Sequence, residues 1–262
     1  MGRTLDAIID TAERLEGPDR RLDLEIALQA GHVVRRVMDG ADSYFRFDGD
    51  GDPEEYPFME APAGQLPDPG NACRRYTGSW AVAMLLANQA TSGWYLEHAG
   101  DNAVGDPGLM RVTGHCVEYS DGADKVGGDA PTKALAYCLA ALKVMRHKGR
   151  AFTDTVLGRL VEAEIRDAVR KDVETVLGHF NYGPVPPEIE VDEDDGSVVL
   201  RWERGRDTSF SMTFLGEGNV GGVLLQPGYP GRGWKHGVGD TDFLTATLNG
   251  PRLWPLLERG RR

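Results

Sequence analysis

The 262 residues carry 41 acidic against 29 basic side chains, a formal charge of −12, and are 40% hydrophobic. That length can bury a sizeable core in one large domain or two modest ones, and the charge opposes direct contact with nucleic-acid backbones or anionic membranes, so any partner held by electrostatics is basic. The cysteines, Cys73, Cys116 and Cys138, stand apart without CxxC or C…H-x-H spacing; they encode neither a disulfide scaffold nor a zinc site and suit a reducing cytoplasm.

The opening MGRTLDAIIDTAERLEG has no apolar core followed by a small-residue cleavage site. No segment approaches about 18 uninterrupted apolar residues, so a secreted or membrane-spanning chain is not expected. Leu5, Ile8, Ile9, Ala12 and Leu15 recur at helical spacing up to Gly17-Pro18. Asp19 is placed to cap a second helix, whose apolar positions run from Leu22 through Val33, Val34 and Val37 to about Met38. From Asp39 to Ala72 the chain is rich in Asp, Gly and Pro, with aromatics interspersed, and reads as a long surface loop. Ser79 can cap a helix with Trp80, Ala83, Met84 and Ala87 on one side, and GWYLEHAG and LMRVTGHCVEYS read as strands. A further helix opens at Pro131, presents Leu135, Cys138, Leu139, Leu142 and Met145 to a core, and is expected to end at Gly149.

The second half starts with a helical run from Leu157 to Leu177, with Glu162–Arg166 and Asp167–Lys171 as i,i+4 pairs. After NYGPVPP the period changes from 3.6 to 2. Ile189/Val191, Val198/Leu200/Trp202 and Phe210/Met212/Phe214 each alternate with other residues, which predicts an antiparallel meander with one wet face. A fourth strand near Val220 to Gln226, a Gly/Pro-rich loop to Gly239 and a helix capped by Asp240 complete it. The expected fold class is α+β: an α/β/α layered N-terminal domain over 1–150 and a helix plus antiparallel sheet domain over 151–262.

Several short stretches hint at chemistry. Asp48, Asp50 and Asp52 begin like an EF-hand loop, but Pro53 stands where the turn glycine belongs and Met59 where the bidentate glutamate belongs, so an acidic loop is expected. Gly216, Gly218 and Gly221 spell GxGxxG without a following helix and read as a hairpin turn. Cys116 and His115 are strand neighbours that point to opposite faces, and both Cys116 and Cys138 read as buried structural thiols. The basic run Lys143 to Arg150 suits the last turn of a helix. Lys235, His236, Asp240 and Asp242 gather titratable groups in a Gly-rich loop that could serve a hydrolytic enzyme. Glu188, Glu190, Asp192, Glu193, Asp194 and Asp195 form an acidic segment without a base. It reads as a hairpin tip protecting an edge strand, or as a surface that occupies a basic partner.

Tyr76, Thr77, Ser79 and Ala83, then Gly93 and Trp94, then Pro131 with Ala134, Leu135, Ala136, Cys138, Ala140, Ala141 and Leu142 form a recurring arrangement. Over about residues 20 to 150 it resembles the phage and prophage proteins with a phage ABA-sandwich domain. The resemblance implies a layered fold and a phage or prophage origin, and it carries over no catalytic residue. The expected function is therefore non-enzymatic protein–protein binding in the host cytoplasm, with no cofactor and no metal. The alternatives are an acidic anti-defence inhibitor that occupies a nucleic-acid-binding surface, and the hydrolytic reading of Lys235 to Asp242.

Overall fold

The structure, a computed structural model, describes residues 4–30, 33–39, 42–48, 59–60, 74–104, 111–227, 229–249 and 253–257. Its class is α+β, and the chain divides into the units Met1–His147 and Lys148–Arg262.

In the first unit, helix α1 (Leu5–Ala12) buries Ile8, Ile9 and Ala12, and the Thr4 hydroxyl caps it by accepting the Ala7 amide. Asp19 caps α2 (Arg20–Gln29) as expected, its Oδ1 accepting from the amides of Arg21 and Leu22 at 2.7 and 3.1 Å. The helix does not reach Met38. Residues Val33–Asp39 form strand β1 instead, paired antiparallel with β2 (Asp42–Asp48), which pairs in turn with β3 (Met59–Glu60). Val33, Val34 and Val37 are β-branched and favour a pleated chain, and apolar spacing over so few residues fits either period. The strands also replace the first part of the expected loop from Asp39 to Ala72, while Asp50 and Asp52 lie outside the described residues.

Helix α3 (Trp80–Ala90) buries Ala83, Leu86, Ala87 and Ala90. Trp80, expected on that buried side, is 46% exposed, and the Lys133 ammonium lies 4.2 Å over its ring. Ser79 occupies the cap position without a side-chain cap bond. The strands read from the sequence are β4 (Tyr95–Val104) and β5 (Arg111–Ser120), and a third, β6 (Lys125–Ala130), joins them in the order β4-β5-β6. That strand carries Gly127-Gly128, a composition that reads poorly as β structure. Gly128 is needed because a side chain there would come within 2.5 Å of the Ala136 carbonyl.

Helix α4 (Lys133–Glu162) packs Leu135, Cys138, Leu139 and Leu142 into one core with Val117, Tyr119, Leu22, Ile26, Ile8 and Ile9. It runs straight through Gly149, where an end was expected. The glycine is there for another reason: a Cβ at Gly149 would lie 2.2 Å from the carbonyl oxygen of Phe180. The run Lys143 to Arg150 is thus helix interior, and its cations meet acids rather than a helix end, Lys143 pairing with Glu13 at 2.8 Å and Arg146 with Asp6 at 3.1 Å.

In the second unit the helical run breaks after Glu162, with Glu164 at φ 55°, and resumes as α5 (Asp167–Leu177). The expected Glu162–Arg166 pair is lost to this break, and Asp167 pairs with Arg170. The meander follows the expected alternation as β7 (Glu188–Val191), β8 (Val198–Glu203), β9 (Ser209–Phe214) and β10 (Asn219–Gln226). A fifth strand, β11 (Tyr229–Gly237), replaces the expected Gly/Pro-rich loop, and the sheet order is β11-β10-β9-β8-β7, antiparallel throughout. The GxGxxG segment is the β9–β10 hairpin, with Gly216 and Gly218 at φ +79° and +74°, and the Asp172 carboxylate holds the Gly218 amide at 2.8 Å. Asp240 caps α6 (Thr241–Leu248), and α7 (Trp254–Leu257) follows. Val198, Leu200, Trp202, Phe210, Met212, Phe214 and Val220 share a core with Val169, Val173 and Val176 of α5 and with Leu244 and Leu257.

Candidate functional site

A strand that buries every second residue must present the others to the opposite side. In the second unit that rule builds a continuous outer surface. One row across the sheet is Glu190, Val199, Thr213, Gly221 and Lys235, and the next is Glu188, Arg201, Ser211, Val223 and Gly233. Val223 and Leu225 of β10 stand exposed on this surface at 41% and 48%. Edge strand β7 borders it with Glu188 and Glu190 and ends in Val191, itself 42% exposed.

The acidic segment beyond β7 divides into acids that shape the turn and acids that do not. Asp192 Oδ1 accepts the Asp194 amide at 2.9 Å, and Asp195 Oδ1 accepts the Ser197 amide at 2.7 Å. Bonds from Ser197, first its amide and then its hydroxyl, hold the Asp195 carboxyl below the usual carboxylate range, with Arg166 adding a smaller favourable charge. Arg166 fastens the turn by donating from Nη2 to the carbonyls of Asp195 at 2.9 Å and Leu215 at 3.3 Å. Glu190 meets Arg201 at 3.2 Å. Glu188, Glu193 and Asp194 form no ion pair with another described residue and project charge into solvent.

The Lys235–Asp242 constellation separates. Along β11 exposure alternates, so Lys235 belongs to the open surface while His236 turns toward α6. His236 Nδ1 lies 2.9 Å from Asp240 Oδ2, and its ring stacks on Phe243 at 3.5 Å between centroids. The other Asp240 oxygen accepts the Phe243 amide, the cap of α6. Asp242 belongs to the first turn of that helix. His179, half-buried, contacts the Thr245 hydroxyl at 3.1 Å; burial pushes its pKa down, and the Asp240 charge opposes this. His236 and Asp240 thus have a structural occupation in starting α6, and no serine or cysteine nucleophile belongs to this group.

The two thiols among the described residues, Cys116 and Cys138, are poor nucleophiles. Cys138 is buried and its Sγ lies 3.0 Å from the Tyr76 carbonyl, burial pushing its pKa up. Cys116 is half-buried rather than buried, and desolvation followed by the Asp129 carboxylate pushes it up to about 11. A thiol so raised stays protonated at neutral pH.

No family model, curated protein or solved structure matches the chain. No helix among the described residues is long and apolar enough to cross a membrane.

Of the acids read from the sequence, Glu188 and Glu190 join the open sheet surface and the other four form the turn beside it. The register adds Val223, Leu225, Ser211 and Thr213, and it brings in Lys235, which the sequence had grouped with His236 and Asp240. For the first four the only sequence signal is the period-2 pattern, which marks a wet side without saying that exposed aliphatics gather there.

Proposed function

We propose that the chain acts without catalysis, by binding a partner protein of basic surface on the open side of the five-stranded sheet. The observation that carries this reading is the juxtaposition of exposed Val223 and Leu225 with the acidic border of Glu188, Glu190 and the turn Asp192–Asp195. Exposed aliphatic side chains on the same face as charged ones are a usual composition of a protein interface. The overall charge of −12 selects a basic counterpart and speeds its approach. The resemblance of residues 20 to 150 to phage ABA-sandwich proteins favours a phage or prophage setting, in which a nucleic-acid-binding host complex is one such counterpart.

The test is co-purification of the tagged chain from infected or lysogenic cells, beside Leu225→Asp and a Glu188→Lys/Glu190→Lys double variant. A stoichiometric partner that the wild type holds, that elutes with rising salt and that both variants lose supports the reading. Undiminished capture by both variants, or turnover of a nucleotide, peptide or phosphoester that His236→Ala abolishes, overturns it.

A further inference from the structure

In the first unit, three side chains from two separate elements converge on one point. The turn between β5 and β6 runs Ser120-Asp121-Gly122-Ala123-Asp124-Lys125, and His147 reaches it from α4. One donor atom from each of Asp121, Asp124 and His147 lies within 4.8 Å of the others.

We propose that Asp121, Asp124 and His147 bind a divalent transition metal, zinc being the best fit. Donors about 2.0–2.2 Å from a tetrahedral ion lie roughly 3.4 Å from one another, so small rotations of exposed side chains close the triad. A set of one imidazole nitrogen and two carboxylate oxygens suits zinc and its neighbours, whereas calcium takes oxygen alone. Two carboxylates from an exposed turn and one imidazole from a helix leave the fourth position to water.

The arrangement is more than an ion pair. His147 Nε2 lies 3.5 Å from Asp124 Oδ2, which accounts for only two of the three groups. The second carboxylate is held in place: Asp121 Oδ1 accepts the amides of Ala123 at 3.0 Å and Asp124 at 2.8 Å. Among the described residues no Lys or Arg pairs with Asp121 or Asp124, so two like charges meet at a single imidazole. Like charges at such range repel until a cation joins them. The imidazole also packs against Trp94, which meets it edge-on with centroids 5.2 Å apart. The cysteine spacing that argued against zinc concerned thiolate sites and leaves this nitrogen–oxygen site untouched.

The test titrates the full chain with zinc chloride by calorimetry while following histidine side-chain nitrogen resonances by NMR. The expected result is one ion per chain, with the His147 resonance moving, and an affinity reduced more than about tenfold in each of Asp121→Asn, Asp124→Asn and His147→Gln. His236→Gln, in the other unit, binds as the wild type does. All three ligands are at least partly exposed, so the variants fold, and unchanged far-UV circular dichroism verifies it. No heat and no His147 shift at millimolar zinc, or equal binding by His147→Gln, overturns the proposal.

Discussion

The buried Asp23 carboxylate accepts two hydrogen bonds from Thr77, one from its amide at 2.6 Å and one from its hydroxyl at 2.9 Å. Arg20 closes the group with a 2.6 Å ion pair to the other oxygen, and the Thr77 hydroxyl also accepts the Asp19 amide at 2.9 Å. Three hydrogen bonds therefore tie the start of α2 to the segment before α3. A buried carboxylate is tolerated only with such partners. Thr77→Val keeps the shape but removes the hydroxyl, and is expected to destabilise the first unit by about 2–3 kcal/mol, the cost of leaving a buried charge underbonded. Thr77→Ser is expected to cost much less. Urea unfolding followed by circular dichroism distinguishes them, and equal midpoints for the two variants would count against this role.

Two glycines of α4 give opposite expectations for the same substitution. Alanine normally stabilises a helix interior over glycine by about 1 kcal/mol. Gly158 has open space around it, so Gly158→Ala is expected to raise the melting temperature. At Gly149 the new methyl would meet the Phe180 carbonyl at 2.2 Å, which exceeds what rotamer changes can relieve because the obstacle is backbone. Gly149→Ala is expected to destabilise by about 2 kcal/mol or more. Thermal melts of both variants read the contrast directly, and stabilisation by Gly149→Ala would show that the close approach does not hold in solution.

These glycines also show where sequence reading stops. Gly149 after an amphipathic run looks like a helix end by composition, but its cause is a carbonyl 31 positions away, which no local pattern encodes. The meander was legible because β8 and β9 alternate cleanly, buried residues at Val198, Leu200, Trp202, Phe210, Met212 and Phe214, with polar turns between. Strand β11 was not, since YPGRGWKHG holds glycine where β-branched residues are usual and is strand because β10 offers it a ladder. The valines of β1 fit a helical count as well as a pleated one. At the candidate surface the acids were visible in sequence, whereas the rows joining Glu190 to Lys235 exist only through the register of five strands. Asp121, Asp124 and His147 gave no signal, because the histidine is brought to the turn by the packing of α4.

His179 makes the second unit sensitive to mild acid. Burial lowers its pKa below the ordinary 6.5, and the groups facing it are the Thr245 hydroxyl and, opposing the shift, Asp240. Below about pH 6.5 the unfolded chain binds a proton more readily than the folded one, so stability falls as pH falls. Its contribution is fully present above the unfolded value and is lost as pH drops through the folded value. Melting temperatures at pH 7.5 and 5.5 are expected to differ more for the wild type than for His179→Gln. An equal or larger drop in the variant would assign the acid sensitivity elsewhere.

Arg166 links the stability of the second unit to the surface proposed for binding. Its guanidinium donates to the carbonyls of Asp195 and Leu215, which belong to the β7–β8 and β9–β10 turns, so one side chain joins two hairpins at their tips. The same positive charge lies beside the ionised Asp195. Arg166→Met keeps the aliphatic stem and removes both donors and charge. Because the site is exposed, the loss of global stability is expected to be small, about 1 kcal/mol. The local effect is larger: the amides of Asp192 and Gly196, which close the turn at 2.9 and 2.8 Å, are expected to exchange hydrogen faster while those of β9 and β10 keep their protection. If the acidic turn must be held in shape to meet a basic partner, the same variant weakens partner capture without moving Glu188 or Glu190 on the sheet. Unchanged exchange at Asp192 and Gly196 would show that the turn is held by its own aspartates alone.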